Sequence, residues 1–248
     1  MKNVAIDKKG KVAVLHLNNG DTNPISPKLV DDLLEAQDII RKDFRGMVLA
    51  GSSKFFCIGF DLPALVNYDR IQMADFFGKF NSLVLNLYTL PVPTCCAVAG
   101  HAIAGGNILI LTSDFRVAAS GKKLIGLNEV KLGVPVPYLA DLILRQVIGD
   151  RAATEMLYSG EFVTTSDAKK TGLVDDVVSL EEVEEKAIEK VMKIADLPQA
   201  AFSEIKANRT ESIRSLYEQN FKRKDEYFLN CWFSEPVQAL MKEAARKF

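Results

Sequence analysis

The sequence predicts an α/β fold: short strands alternate with helical segments through about residue 178, and from about 179 the pattern is wholly helical. Two further observations support this. The segment 11–18 is apolar on both faces, with Ala13, Leu15 and Leu17 on one and Val12, Val14 and His16 on the other, as in a strand covered on both sides. The run Phe80–Ser113 contains no Asp, Glu, Lys or Arg, yet Pro91, Pro93, Gly100, Gly105 and Gly106 interrupt it. It therefore reads as several short buried elements rather than a membrane span.

The elements follow in order. Residues 2–7 and 11–18 flank the turn Lys8-Lys9-Gly10-Lys11 as a hairpin, with His16 read as a surface or sheet-edge residue. Residues 18–26 are loop by composition. Ser26-Pro27 then opens a helix with a capping serine and a proline at its first position. Its apolar stripe is Leu29, Leu33, Leu34, Ala36, Ile39 and Ile40. Gly46–Ala50 is a buried strand and Gly51–Lys54 a turn. A helical period over 70–90 runs through Ile71, Met73, Phe76, Phe77, Phe80, Leu83 and Leu87. Cys95–Ala99 is a strand ending at Gly100, residues 105–112 start a buried helix behind a glycine pair, and Phe115–Ala119 is another strand. Helices at 138–148 and 150–159 are separated by Gly149, and Val174–Val178 is the last strand. Ser179-Leu-Glu-Glu opens the terminal helices with a capping serine and an acidic first turn. No repeat of fixed period is present. The chain divides into a core, 1–195, and a helical C-terminal region, 196–248, expected to pack on the core or on a neighbouring subunit.

The chain has 248 residues, 48% of them apolar and 25% charged, which is ordinary for a globular protein and excludes a disordered or collagenous chain. A net charge near −1 gives no reason to expect nucleic acid or a membrane surface as a partner. Four cysteines, two histidines and no C-x-x-C pair do not suggest a structural metal site or a disulfide scaffold. A reducing, cytoplasmic location is expected, because neither a signal-peptide core, a transit-peptide composition nor a Ser-Lys-Leu ending is visible.

Three segments could carry chemistry. In Phe55-Phe-Cys-Ile-Gly-Phe-Asp-Leu, a glycine between strand and helix permits a tight turn and leaves backbone N–H groups free to face an anion. Its plainer reading is a strand-to-helix connection. In Gly100-His-Ala-Ile-Ala-Gly-Gly-Asn, two glycines at a helix start again expose N–H donors, the plainer reading being close helix–strand packing. It does not fit G-x-G-x-x-G, so a dinucleotide is not indicated. Third, Glu129 is the only acid between Asp114 and Asp141 and sits among Leu127, Val130, Leu132, Val134 and Pro135. A carboxylate in an apolar pocket has a raised pKa and can act as a general base; otherwise it is a solvated loop residue. His101 and Cys57 read more simply as a structural histidine and a buried inert thiol. No Gly-x-Ser-x-Gly elbow exists.

These three segments, with Asp114-Phe-Arg-Val-Ala-Ala and the stretch from Gly160 to Ala168-Lys-Lys-Thr-Gly-Leu-Val-Asp, occur in an order and spacing that resembles the crotonase (enoyl-CoA hydratase/isomerase) superfamily. The resemblance covers roughly residues 3–180. It implies a spiral of ββα units with two roughly perpendicular sheets and a helical C-terminal region. It implies trimers, often paired into hexamers, and an acyl-CoA thioester as ligand, with no cofactor beyond the coenzyme A of the substrate. Its shared oxyanion hole would fall on the backbone N–H groups of Phe60 and Gly105, with Cys57, Ile58, Gly59, Asp61, Ile108 and Leu127 as substrate contacts and Glu129 as the catalytic acid–base.

Hydratases of this group carry two glutamates, and the first of those positions is Ile108 here. An alkyl side chain can neither accept a proton nor hold water. The pattern Ile-Gly-Leu-Asn-Glu-x-x-Leu-Gly looks closer to the mitochondrial-type 3,2-enoyl-CoA isomerases. Dienoyl-CoA isomerases use a further Asp, at the position of Pro137. The expectation is therefore a 3-enoyl-CoA to 2-enoyl-CoA isomerase with Glu129 as its one base. Thioester hydrolysis or hydration at the same site, and a non-catalytic acyl-CoA-binding role, are the alternatives.

Overall fold

The computed structural model describes residues 1–246, so the last two residues of the expected C-terminal region lie outside it. The chain opens with β1 (Val4–Lys9) and β2 (Val12–Leu17), an antiparallel hairpin, followed by α1 (Pro27–Asp43). Ser26 caps α1, its hydroxyl accepting from the Leu29 N–H at 3.2 Å. Next come β3 (Gly46–Ala50), β4 (Phe55–Cys57), α2 (Leu62–Leu65) and α3 (Arg70–Tyr88). The second pass is β5 (Thr94–Val98), β6 (His101–Ile103) and α4 (Gly105–Leu111). The third is β7 (Phe115–Ala119), β8 (Leu124–Gly126) and α5 (Tyr138–Ser159). Then follow β9 (Val163–Thr164), α6 (Thr165–Lys170) and β10 (Asp176–Val178), and the helices α7 (Val183–Ala195), α8 (Gln199–Trp232) and α9 (Glu235–Ala245).

Each middle pass lays one strand in each of two sheets before its helix, which makes the chain a spiral of ββα units. The larger sheet has the order β1-β2-β3-β5-β7-β10 and is parallel except at β1. The smaller has the order β4-β6-β8-β9. The larger sheet is covered on both faces. Ala13, Leu15, Met47 and Leu49 join the main core. Val12, Val14, Val48, Cys95 and Val117 face a second layer closed by Val183, Ala187 and Val191 of α7. Helix α7 thus roofs the sheet itself as part of the core, and α8, in the C-terminal region, packs against α3 and α5.

Three sequence readings change. His16 is not on an edge strand, because β2 is paired on both sides, to β1 and β3. Its ring is half-buried with Nε2 3.4 Å from an Asp7 carboxylate oxygen. Ile71 does not belong to the buried stripe of α3: it is 82% exposed, because it falls in the first turn, beyond the helices that cover the rest. The smaller sheet is absent from the residue-by-residue reading, since its strands have only two or three residues and show no period. Gly149 does divide α5 as expected, with φ 78° and ψ 158° inside an otherwise continuous helix. Among the described residues no helix is long and apolar enough to cross a membrane.

Candidate active site

Three loops leave the parallel strands β4, β6 and β8 side by side, because Phe55 pairs with His101, Ala102 with Ile125 and Ile103 with Gly126. Ligands in open α/β sheets gather beyond the carboxyl ends of such strands. The loops are 58–61, Ala104 at the start of α4, and Leu127–Glu129.

The first loop is stitched to residues 22–26. The Ile25 N–H donates to the Gly59 carbonyl at 2.7 Å, and the Asp61 N–H to the Ile25 carbonyl at 3.1 Å. The Gly59 N–H donates to Cys57 Sγ at 3.4 Å. Among the described residues the Phe60 N–H donates to no protein group. Gly59 has φ +99°, and a Cβ there would lie 3.2 Å from the Gly105 nitrogen, so the two loops are in direct contact. Only glycine combines that backbone region with so close an approach.

Gly105 is the first residue of α4, where N–H groups have no partner within the helix. Ala104 precedes it at φ 49° and ψ −119°, a conformation strained for any residue with a Cβ. Its own N–H donates to the Gly126 carbonyl at 2.9 Å, which anchors the strained turn to β8. The Phe60 and Gly105 N–H groups are thus two uncommitted donors on touching loops.

Glu129 begins a short 3-10 turn, Glu129–Leu132, closed by Gly133 in the left-handed region. It is 7% exposed, and Oε2 has no protein partner. Burial pushes its carboxyl from about 4.5 up to about 7, against opposing hydrogen bonds from the backbone at Asn128 and Glu129. A carboxyl that titrates near neutral pH has the proton affinity a general base needs.

Phe60, Gly105 and Glu129 line one apolar cavity of about 440 Å³, together with Ile58 and Ile108. Cys57, Gly59, Asp61 and Leu127 do not line it. Cys57 is fully buried with its thiol pushed up to about 12 by desolvation, and Leu127 is a core side chain. Asp61 caps α2, accepting from the Ala64 N–H at 3.2 Å. His101 is structural: its Nδ1 accepts from the Leu124 N–H at 3.0 Å, tying β6 to β8. The sequence reading missed Asn128 as a wall residue, and also Phe162, Phe228, Trp232 and Met241. The last three come from α8 and α9, far along the chain, and nothing local to them signals the site. A larger, more polar cleft of about 780 Å³ lies across Val134, Pro137 and Phe228, but it does not contain Glu129. Among the described residues no group of three or more His, Cys, Asp or Glu could hold a metal ion.

Two sheets threaded by successive ββα passes, with two uncommitted donors and a buried carboxylate on one cavity, make this a crotonase-type fold. The enoyl-CoA hydratase/isomerase family model matches residues 7–242, and the chain belongs to that family. Its structure superposes on human mitochondrial delta3-delta2-enoyl-CoA isomerase with a TM-score of 0.95 at 25% identity, covering 99% of this chain and 97% of that one. An enoyl-CoA hydratase from Bacillus anthracis gives a TM-score of 0.80 at 27% identity over 99% and 90% of the two chains. A putative enoyl-CoA hydratase from Thermus thermophilus is 37% identical over 176 residues, 68% of this chain and 69% of that one.

Proposed function

We propose that this protein moves the double bond of a 3-enoyl-CoA to the 2-position, with Glu129 as its single base and acid. The observation that carries the reading is the composition of the cavity: one buried carboxylate, Glu129, with Ile108 where a second acid would be needed to hold water. Isomerisation neither gains nor loses atoms, so one base suffices. Glu129 removes a proton from C2, which the thioester carbonyl and the adjacent alkene acidify. The dienolate oxygen accepts from the N–H groups of Phe60 and Gly105. Each such donor typically contributes about 3–4 kcal/mol by deletion. Glu129 then delivers the proton to C4, giving the conjugated product. Ile108 and Val134 in the cavity wall keep water from the dienolate and help hold the Glu129 pKa up. The structural likeness to a delta3-delta2-enoyl-CoA isomerase supports this reading.

The hydratase relatives favour a second reading, water addition at the same site. Incubation with 3-hexenoyl-CoA, followed by chromatography and mass, separates the two. The expected result is 2-hexenoyl-CoA at unchanged mass, with Glu129→Gln slowing turnover by about a thousandfold. A mass gain of one water, or release of free CoA, would instead favour hydration or thioester hydrolysis. Unimpaired turnover in the glutamine variant would remove Glu129 as the base. We also propose that the functional unit is a homotrimer or a pair of them, which light scattering reads directly.

A further inference from the structure

Phe228 of α8 lines two spaces at once: the cavity that holds Glu129 and the larger cleft beside it. Val134 and Pro137 are the other residues common to both, so these three form a partition. The buried ring of Phe228 is its largest piece, and aromatic neighbours hold it. Phe77 of α3, which lines the cleft but not the cavity, stacks on it at 4.0 Å. Trp232, the chain's single tryptophan, lines the cavity but not the cleft and stacks on it at 6.1 Å. The two spaces differ in character. The Glu129 cavity is apolar, whereas the cleft carries Asp141, Arg145, Asp150, Lys224 and Asp225. The partition also stands next to the base. Phe60 follows β4, Gly105 follows β6 and Glu129 follows β8, in the order of the smaller sheet. Beyond them the Val134 N–H donates to the Glu129 carbonyl at 3.2 Å. The sequence in space is donors, then base, then partition. An acyl chain with its carbonyl on the donors and C2 to C4 along Glu129 is therefore aimed at Phe228.

We propose that Phe228 sets the length of acyl chain the site accepts, its ring stopping the chain where the apolar cavity ends and the charged cleft begins. At about 30 Å³ for an atom of water size, the cavity's 440 Å³ hold about fifteen heavy atoms. That is a chain of about ten carbons, with its thioester and the first atoms of pantetheine. The ligand class is a medium-chain acyl thioester. The proposal rests on the acyl-CoA reading of the site, and it adds the residue that limits the acyl group.

The test is a calorimetric titration of the full chain with saturated acyl-CoAs from hexanoyl to tetradecanoyl, which have no double bond to move. Each buried methylene should tighten binding about fourfold up to decanoyl-CoA, and the affinity should then level. In Phe228→Ala the ratio of tetradecanoyl to decanoyl affinity should rise from about one to about tenfold or more. A second readout follows the tail itself. Cys231 is free and half-buried and lines the cleft but not the Glu129 cavity, while the other three cysteines are buried. Tetradecanoyl-CoA should slow the alkylation of Cys231 by iodoacetamide in Phe228→Ala and leave it unchanged in the native chain. Phe228→Leu keeps an apolar side chain in the core without the ring, so it should move both readouts the same way by less, and it guards against an alanine variant that fails to fold. Affinity that climbs without a break to tetradecanoyl-CoA in the native chain would overturn the proposal. So would a break that stays at the same length in both variants. Tighter tetradecanoyl binding with Cys231 unprotected would mean that the room was gained inside the cavity, and would overturn it as well. If no thioester binds, the acyl-CoA reading falls and takes this one with it. Binding of hexanoyl-CoA without conversion of 3-hexenoyl-CoA would sink the isomerase reading alone.

Discussion

Glu129 connects local sequence to chemistry and to stability. Its raised pKa means that between about pH 4.5 and pH 7 the folded chain binds a proton that the unfolded chain has released. Stability therefore falls as pH rises through that window and is level above it, as far as this group is concerned. The full difference is about 3 kcal/mol at about 1.4 kcal/mol per unit. Glu129→Gln carries no titrating proton, so it should be more stable than the native chain by about this amount at pH 8 and nearly equal at pH 4. Urea unfolding at the two pH values checks this. Asp32, held well below the usual range by Lys28 and the backbone N–H groups of Lys2 and Asn3, titrates alike in both proteins and cancels. With Glu129 as the base, as proposed, the same ionisation should appear in the pH dependence of kcat/KM, rising to a plateau with an apparent pKa of about 7. A flat profile in that range would argue that the proton is taken elsewhere. The burial of Glu129 was one of two readings the sequence offered, because isolation among apolar neighbours is a local property. The place of Trp232 was not legible, because it depends on a 34-residue helix, α8, that returns to the site from far along the chain.

At the level of elements, the glycine pair at the start of α4 shows what a one-dimensional reading can and cannot see. That Gly105-Gly106 would expose N–H groups at a helix start was legible from residue type. That β4 and β6 run parallel beside each other was not, because strands of three residues carry no pattern. The packing explains the second glycine: a Cβ on Gly106 would lie 2.1 Å from the Cys57 carbonyl oxygen, a backbone atom that cannot move aside alone. Gly106→Ala should thus push α4 off β4, cost about 3 kcal/mol and misplace the Gly105 N–H. Gly78 is the control. It lies inside α3, and a Cβ there would meet nothing within 4 Å. Gly78→Ala should stabilise the protein by about 0.5–1 kcal/mol through helix propensity alone. Unfolding midpoints of the two variants should move in opposite directions. Equal shifts would mean that contact with β4 does not govern Gly106.

For the whole molecule, the question is what holds a 34-residue helix, α8, so that Phe228 and Trp232 reach the cavity. Its sequence is mostly polar, and its fastening is a small number of specific contacts. Lys206 is the main one: it is 3% exposed, and its ammonium donates to the Val92 carbonyl at 3.0 Å and to Asp114 at 2.8 Å. The same Asp114 oxygen accepts from the Thr94 N–H at 2.8 Å, so the ion pair clamps α8 onto the strand ends of the larger sheet. Ser203 adds a hydrogen bond to the Pro91 carbonyl at 2.8 Å, and Arg70 of α3 pairs with Glu226 further along. Burial lowers the Lys206 pKa and Asp114 opposes that shift, so the charge depends on its partner. In the sequence, Lys206 looks like any solvated lysine, because its partners lie some ninety to a hundred and ten residues upstream. Removing one member of a buried pair strands the other, which costs about 3–5 kcal/mol, whereas an exposed helical pair contributes about 0.3–0.5 kcal/mol. Lys206→Met should therefore lower the unfolding free energy by about 3 kcal/mol, the Asp114 carboxylate still keeping its Thr94 bonds. Lys186→Met, which removes only the exposed pair with Glu189, should change it by less than about 0.5 kcal/mol. Urea unfolding followed through the Trp232 emission measures both, and that probe sits on the helix in question. A Lys206 effect no larger than the Lys186 effect would mean that the aromatic stack of Phe77, Phe228 and Trp232, rather than the ion pair, holds α8 in place.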